Sequence, residues 1–487
     1  MLRKIRITLA TFFFVVVTLL FLDFTGTIHC YMGWMAKIQF LPAVLALNVG
    51  VVVGLILLTF VFGRIYCSVI CPLGIMQDLI AYFGKKSKKN RYSHSKEKRW
   101  LRFGVMVLFI VLMITGMNTI AALIAPYSAY GRIAQSLLQP IYMWANNGLA
   151  YVAEQMDSYA FYTVDVWIKS IATLLVACVT LVVLGILSWR NGRTYCNTIC
   201  PVGTILGYVS KFSWLRPVID TDKCNGCGLC AMNCKAACIE PKGHVIDMSR
   251  CVVCGDCIEK CKKGAISYKH ASCKKQTTET TDNDRRKFLS ISALLATASV
   301  AKAQKMKVDG GLADITPKKG PKREIRLVPP GALSLRNMDA HCTGCQLCVA
   351  ACPNGVLRPG TSLMTLMQPE MQFDKGFCRP ECTKCSEVCP TGAIRPITIE
   401  EKTAIQIGHA VWVKDRCVVL TDDVECGNCE RHCPTGAITM VSTPDAKHKI
   451  PTVDESRCIG CGACEYLCPS RPLSAIYVEG HEIHHEK

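Results

Sequence analysis

Residues 458–469 read Cys458-Ile459-Gly460-Cys461-Gly462-Ala463-Cys464-Glu465-Tyr466-Leu467-Cys468-Pro469, a C-x2-C-x2-C-x3-C-P run. Three closely spaced cysteines can wrap one corner-sharing four-iron cube, while the fourth reaches the other cluster of a two-cluster fold. Structural zinc asks for two close pairs per ion, which is not this three-plus-one pattern. The same run recurs with variations five more times. Upstream lie Cys224, Cys227, Cys230, Cys234 and then Cys251, Cys254, Cys257, Cys261. Cys342, Cys345, Cys348, Cys352 follow, then Cys378, Cys382, Cys385, Cys389 with one extra residue in the first gap. Cys417, Cys426, Cys429, Cys433 have a long first gap. Six runs predict six [4Fe-4S] clusters with these 24 cysteines as metal ligands.

If neighbouring runs pair, the fourth cysteines exchange. Cys261 joins Cys224, Cys227 and Cys230, and Cys234 joins Cys251, Cys254 and Cys257. Cys389 joins the 342 run, Cys352 the 378 run, Cys468 the 417 run and Cys433 the 458 run. A nested pairing of the last four runs uses the same cysteines. Those four runs end in Cys-Pro, whereas the first two end in Cys234-Lys235 and Cys261-Lys262.

The chain has 487 residues, which suggests about three domains. Half of its residues are hydrophobic and the mean hydropathy is +0.26, pointing to a membrane portion. A density of 32 cysteines in so long a chain argues for metal ligation over a disulfide scaffold. The formal charge of +19 does not imply nucleic acid. Residues 305–487 hold 22 basic and 22 acidic side chains, so the whole excess falls in residues 1–304.

Much of that excess flanks apolar runs near Ile7–Phe24, Ala43–Phe62, Phe103–Ala125 and Ser170–Ser188. Each is long enough for a hydrocarbon core of ~30 Å. Arg3, Lys4 and Arg6 precede the first, and Lys85, Lys86, Lys88, Lys89, Arg91, Lys96, Lys98 and Arg99 lie between the second and third. The positive-inside rule puts both segments, and the chain beyond Trp189, in the cytoplasm. The loop from Pro126 to Val166 then faces outward; its Tyr127, Tyr130, Trp144, Tyr151, Tyr159 and Tyr162 read as interfacial anchors, with quinone stacking as the sharper alternative.

The membrane part repeats itself. Gly63-Arg64-Ile65-Tyr66-Cys67-Ser68-Val69-Ile70-Cys71-Pro72-Leu73-Gly74 matches Gly192-Arg193-Thr194-Tyr195-Cys196-Asn197-Thr198-Ile199-Cys200-Pro201-Val202-Gly203 at eight of twelve positions. Each copy follows an apolar run. The spacing puts each cysteine pair on one face of a helix end, so Cys67, Cys71, Cys196 and Cys200 form a candidate redox or metal site. The bland alternative is four buried structural thiols. Cys30, Cys178, Cys238 and Cys273 read as bystanders, with Cys238 a spare ligand and Cys30 and Cys178 a relay as the sharper alternatives.

Asp284-Arg285-Arg286-Lys287-Phe288-Leu289-Ser290, a modest apolar stretch and Ala301-Lys302-Ala303 are the parts of a Tat export signal placed mid-chain. The organisation is therefore a four-span unit over 1–210, a cytoplasmic two-cluster domain over 211–273, and a linker with signal or fifth span over 274–304. A linker over 305–340, a periplasmic four-cluster domain over 341–475 and a polar tail over 476–487 complete it. In that tail His481, His484 and His485 read as solvated side chains, with metal binding as the sharper alternative.

Two C-x3-C-P segments after apolar spans, followed by two ferredoxin runs, resemble the membrane ferredoxins of the NapH/MauN type. A twin-arginine signal followed by four runs resembles the periplasmic polyferredoxins of the NapG/MauM type. The chain looks like the two fused. The resemblance implies an α+β multidomain fold, with a four-helix transmembrane unit and two bacterial-ferredoxin-like domains. It also implies a multi-pass protein of the bacterial inner membrane that oxidises menaquinol or ubiquinol from the quinone pool. Electrons then leave to a periplasmic reductase or carrier; no nucleic acid is involved. A metal-reducing or oxidase-maturation ferredoxin and a redox scaffold without turnover are the competing readings. A hydrocarbon core of ~30 Å between the two cluster domains exceeds one tunnelling step.

Overall fold

Apolar stretches free of charge and proline leave the backbone no better option than to bond to itself as helix. The computed structural model describes residues 2–23, 25–88, 92–270, 307–308, 313–314, 316–362, 364–444 and 447–486. The twin-arginine segment, the 274–304 linker and Cys273 lie outside the described residues. The helices that position the site are α1 (Leu2–Leu22), α2 (Val49–Phe62), α3 (Pro72–Lys88), α4 (Arg99–Ile114), α5 (Pro126–Ile133), α6 (Ile171–Asn191) and α7 (Pro201–Ser210).

Only two of the four expected spans are single long helices. α1 and α6 each have 21 residues and are long and apolar enough to cross a membrane; at 1.5 Å per residue each is about 32 Å long. Leu9, Phe12 and Val15 on α1 and Leu175, Val179 and Val183 on α6 stay exposed. The other two expected spans are broken, which corrects the reading of four continuous helices. Ala43–Phe62 divides into Phe40–Leu45 and α2. Leu47 takes a φ of 53° there, and the Asn48 side chain accepts from the Val51 N–H at 3.3 Å, so a new helix starts. Phe103–Ala125 divides at Gly116, whose φ of 78° ends α4 before Asn118–Ile124 begins.

Two small units complete the chain. In the first, β1 (Leu215–Ile219) pairs antiparallel with β2 (Ile266–His270) and closes the 215–270 segment. In the second, β3 (Ile405–Trp412) pairs antiparallel with β4 (Ile476–Glu486), Ile476 facing Trp412 and Gly480 facing Gly408. The expected polar tail is thus a strand. Ile476, Val478 and Gly480 alternate into the core, and His481 packs 3.0 Å from His409, nitrogen to nitrogen. The expected 305–340 linker is also structural where it is described. Leu327, Val328, Ala332 and Met338 are core residues, and Arg323 grips both oxygens of buried Glu465 at 2.7 and 2.8 Å.

These two units sit at opposite ends of α1 and α6. At the start of α1, Arg3 pairs with Asp256 at 2.8 Å and Glu259 at 2.6 Å. Just beyond α6, Arg193 N–H donates to the Lys235 carbonyl at 2.9 Å. At the other ends, Lys384 Nζ donates to the Thr25 carbonyl and Lys169 Nζ to the Val349 carbonyl, at 2.8 and 2.7 Å. Trp167 is covered by Arg358 and Lys375, at 4.5 and 4.4 Å from its ring centre.

A buried carboxylate ties the first end together. Asp78, on α3, pairs with Arg6 at 3.0 Å, Arg193 at 2.8 Å and Lys235 at 3.5 Å. Burial opposes its ionisation, but Arg193, Lys235 and Arg6 outweigh that and hold its carboxyl well below the usual range. Asp78→Ala strands buried Arg6 and Arg193 and leaves Lys235 with Asp256 alone. We expect it to destabilise the protein by about 3–5 kcal/mol, read as a lower melting midpoint in detergent and faster proteolysis between residues 211 and 273.

Candidate functional site: a line of cysteine clusters

The two copies of the repeat lock into each other. Arg64 of the first copy donates to the Cys196 carbonyl of the second at 3.2 Å, and Arg193 of the second donates to the Cys67 carbonyl at 2.5 Å. Each guanidinium crosses a glycine of the other copy. A Cβ on Gly203 would lie 2.4 Å from the Cys196 carbonyl oxygen and 2.8 Å from Arg64. A Cβ on Gly74 would lie 2.3 Å from the Cys67 carbonyl oxygen and 3.1 Å from Arg193. Arg64 also donates to Asn197 Oδ1 and to the Ser249 carbonyl, both at 3.0 Å, and its Nη2 lies 3.8 Å from Cys67 Sγ.

This interlock brings the four expected thiols together. Cys67, Cys71, Cys196 and Cys200 are all buried, and Cys71 and Cys200 lie within electrostatic range of both Cys67 and Cys196. Cys200 begins α7: its Sγ accepts from the Gly203 N–H at 3.3 Å, and Pro201 supplies the first helical position. The Tyr66 hydroxyl donates to Gln39 Oε1 at 3.0 Å, and the Tyr195 hydroxyl to the Ile124 carbonyl at 2.5 Å. Beyond Tyr195 lies Arg132, fully buried, with its guanidinium on the Ala122 and Leu123 carbonyls and Cys345 also within its electrostatic range. Tyr127, buried on the same helix, has Cys345 and Cys389 as electrostatic neighbours.

The ferredoxin-type runs converge on separate cavities. One is lined by Cys224, Cys227, Cys230 and Cys261. A second is lined by Cys234, Cys251, Cys254 and Cys257, together with Cys238 and with Leu2, Phe62 and Ile65 of the helical unit. Cys352, Cys378, Cys382 and Cys385 line a third, and Cys433, Cys458, Cys461 and Cys464 a fourth. Cys348 has Cys342, Cys345 and Cys389 around it, and Cys429 has Cys417 and Cys426. Neighbouring runs, not nested ones, are thus brought together at Cys352 and Cys433. Cys468 is buried, its Sγ accepting from the Ala475 N–H at 3.3 Å.

The donor set suits a four-iron cluster. Four soft sulfurs surround three of these cavities and five the second, and backbone N–H groups point at sulfur, as Gly344 does at Cys342 (3.4 Å) and Ala437 at Cys433 (3.2 Å). Cys30 is exposed, and Cys178, midway along α6, is half-buried. Of the outward-facing aromatics, Tyr127 and Tyr130 are core, whereas Trp144, Tyr151 and Tyr159 are exposed. Sequence reasoning passed over Asp78 and Arg132. It also left the Lys235 departure unexplained. Lys235 bridges Asp78 and Asp256, at 3.5 and 3.1 Å, so where the last four runs have proline this turn has a cation that docks it on the helical unit.

Sequence families described as 4Fe-4S binding domains match residues 44–91 with 171–219, 215–236 and 244–267. A 4Fe-4S dicluster domain matches 341–393 and 424–471. The chain is an iron–sulfur, ferredoxin-type protein related to MauN and YccM. The methylamine utilization ferredoxin-type protein MauN of Paracoccus denitrificans is 28% identical over 203 residues, covering 41% of this chain and 56% of MauN. MauN of Methylobacillus flagellatus is 26% identical over 189 residues, covering 38% and 51%. YccM of Escherichia coli is 25% identical over 197 residues, covering 40% and 47%. The chain spans about half the length of these relatives.

The interlock predicts a sharp contrast between glycines. Gly203→Ala forces Arg64 and the Cys196 carbonyl apart and is expected to cost about 1–3 kcal/mol. Gly104→Ala, whose Cβ meets nothing within 4 Å, should be neutral or slightly stabilising; thermal melts of the two variants in detergent compare them.

Proposed function

We propose that this protein spans the bacterial cytoplasmic membrane and passes electrons from menaquinol or ubiquinol to a periplasmic reductase or carrier, as a quinol dehydrogenase module. A four-iron cluster at each of six sites would take up and release one electron at a time, at a potential set by burial and hydrogen bonds to sulfur.

The observation that carries this reading is the order of the cysteine sites through the molecule. The cavity of Cys224 and Cys261 lies outermost in the 215–270 unit, and that of Cys234 and Cys251 abuts α1 and α2. Arg64 links Ser249, two residues before Cys251, to Cys67. The four repeat thiols come next, then Tyr195 and Arg132, then Cys345. Within the last unit, the Cys378 N–H donates to the Cys461 carbonyl at 2.9 Å, joining its inner and outer halves. A core of ~30 Å is too wide for one step, and a redox group held by the repeat thiols would subdivide it. Their chemistry fits a redox or metal site: Arg64 and Arg193 place two cations beside four sulfurs, which offsets part of the burial that pushes the Cys196 thiol up.

The membrane reading is supported by α1 and α6, by their exposed apolar faces, and by cysteine-rich units at both ends. The basic 85–99 loop orients the 215–270 unit toward the cytoplasm. Reporter fusions inserted at Asp222 and after Lys487 should then report opposite sides; the same side for both would overturn the export of the last domain.

Catalysis has its own test. In anaerobic membrane vesicles, added quinol should bleach the cluster absorbance of the full chain, and Cys67→Ser should lower that rate at least tenfold with iron content at the six sites unchanged. Reduction of Cu(II) without any response to quinol would instead favour a metal-reducing maturation role.

A further inference from the structure

The cysteine runs of this chain continue alike beyond the last cysteine. The fourth residue on is Ala265 after Cys261, Val356 after Cys352, Ala393 after Cys389 and Ala437 after Cys433, each followed by Ile or Leu. In the 458 run an insertion delays the same step to Ala475-Ile476. All five residues are buried to 3% exposure or less. The run ending at Cys234 breaks the pattern in one atom. Its small buried residue is Cys238, 2% exposed and followed by Ile239.

That extra sulfur lies in the cluster cavity. Cys238 Sγ is 3.5 Å from Cys234 Sγ and within hydrogen-bond reach of Cys251, so five thiols, not four, face the cavity that abuts α1 and α2. Each iron of a four-iron cube carries one cysteine, so a fifth thiol has no corner of its own. With metal–thiolate bonds of about 2.3 Å, two sulfurs on one tetrahedral corner lie about 3.8 Å apart. The observed spacing is that of two sulfurs addressing the same corner, and also that of an S–H···S hydrogen bond.

We propose, building on the cluster reading above, that Cys238 is a reserve thiol for the corner served by Cys234. While Cys234 is the ligand, Cys238 donates its S–H to that thiolate. When Cys234 leaves, the iron–Cys234 bond breaks, the iron–Cys238 bond forms, and the Cys238 proton passes to Cys234 along the same hydrogen bond. No electron is gained or lost. The cluster nearest the membrane unit thereby survives damage to a ligand that would destroy the others. The hydrogen bond also lowers the negative charge on sulfur and raises the potential of this one cluster.

The test uses the full chain, purified anaerobically in detergent, with iron analysis and EPR-monitored redox titration. Cys234→Ala should keep the iron content of the parent. Cys261→Ala, backed only by Ala265, should lose about four iron atoms per chain, as should Cys234→Ala combined with Cys238→Ala. Equal iron loss in Cys234→Ala and the double variant would overturn the reserve-ligand role. Cys238→Ala installs the residue that most other runs carry and should fold with full iron. It should move one cluster to lower potential, and unchanged potentials would overturn the hydrogen bond. A parent chain without iron would instead sink the cluster reading, whichever way the variants behave.

Discussion

A single carboxylate, Asp78, faces three cations from three parts of the chain: Arg6 from α1, Arg193 from the second repeat and Lys235 from the 215–270 unit. Ion pairs taken out of water are stabilising only when every partner is present. Their assembly therefore acts as a registration device. α1 cannot slide, the second repeat cannot rotate and the cysteine-rich unit cannot tilt without stranding a charge. From that fixed point the rest is determined by bond lengths. Arg193 reaches from Asp78 to the Cys67 carbonyl, Arg64 returns the contact to Cys196, and the four repeat thiols close between them.

The same network accounts for a small part of the basic excess. A carboxylate with three cations leaves positive charge beside cavities that collect thiolates. Near Cys251, Arg102 pairs with Glu97 and Arg250 with Asp247, while Arg64, on the Ser249 carbonyl, has no carboxylate partner among the described residues. Negative clusters in these cavities would meet a protein already biased to receive them. Formal charge counted on side chains alone overstates the net field of such a protein.

Much of the site was legible in the sequence because cysteine spacing encodes it: the close triplets, the exchanged fourth ligands and the twelve-residue repeat all read directly. The helix breaks did not. A hydropathy window sees Ala43–Phe62 as continuous, while the turn at Leu47 and the Asn48 cap depend on a few backbone angles. Strand β4 hid behind its histidines, although Ile476, Val478 and Gly480 alternate as a half-buried strand should. Asp78, Arg132 and the role of Lys235 were invisible for a deeper reason. Their meaning lies in partners up to 157 residues away, and no local pattern marks a buried charge.

The contact of the last unit with the helices has a kinetic consequence. Gly131 presses so closely on the Cys345 carbonyl that a Cβ there would lie 2.3 Å from its oxygen, and Asn118 donates to the Asp339 and Ala340 carbonyls at 2.7 and 2.6 Å. A surface buried in this way is closed to diffusing carriers. Because both halves share one chain, their encounter is intramolecular and independent of how many copies are present. Collision remains possible where cysteines meet solvent: among the described residues, Leu420, Asp422, Asp423, Val424 and Glu425 stand exposed beside Cys426, and Cys227 is exposed in the 215–270 unit. Concentration and ionic strength should govern those outer encounters and not the inner contact.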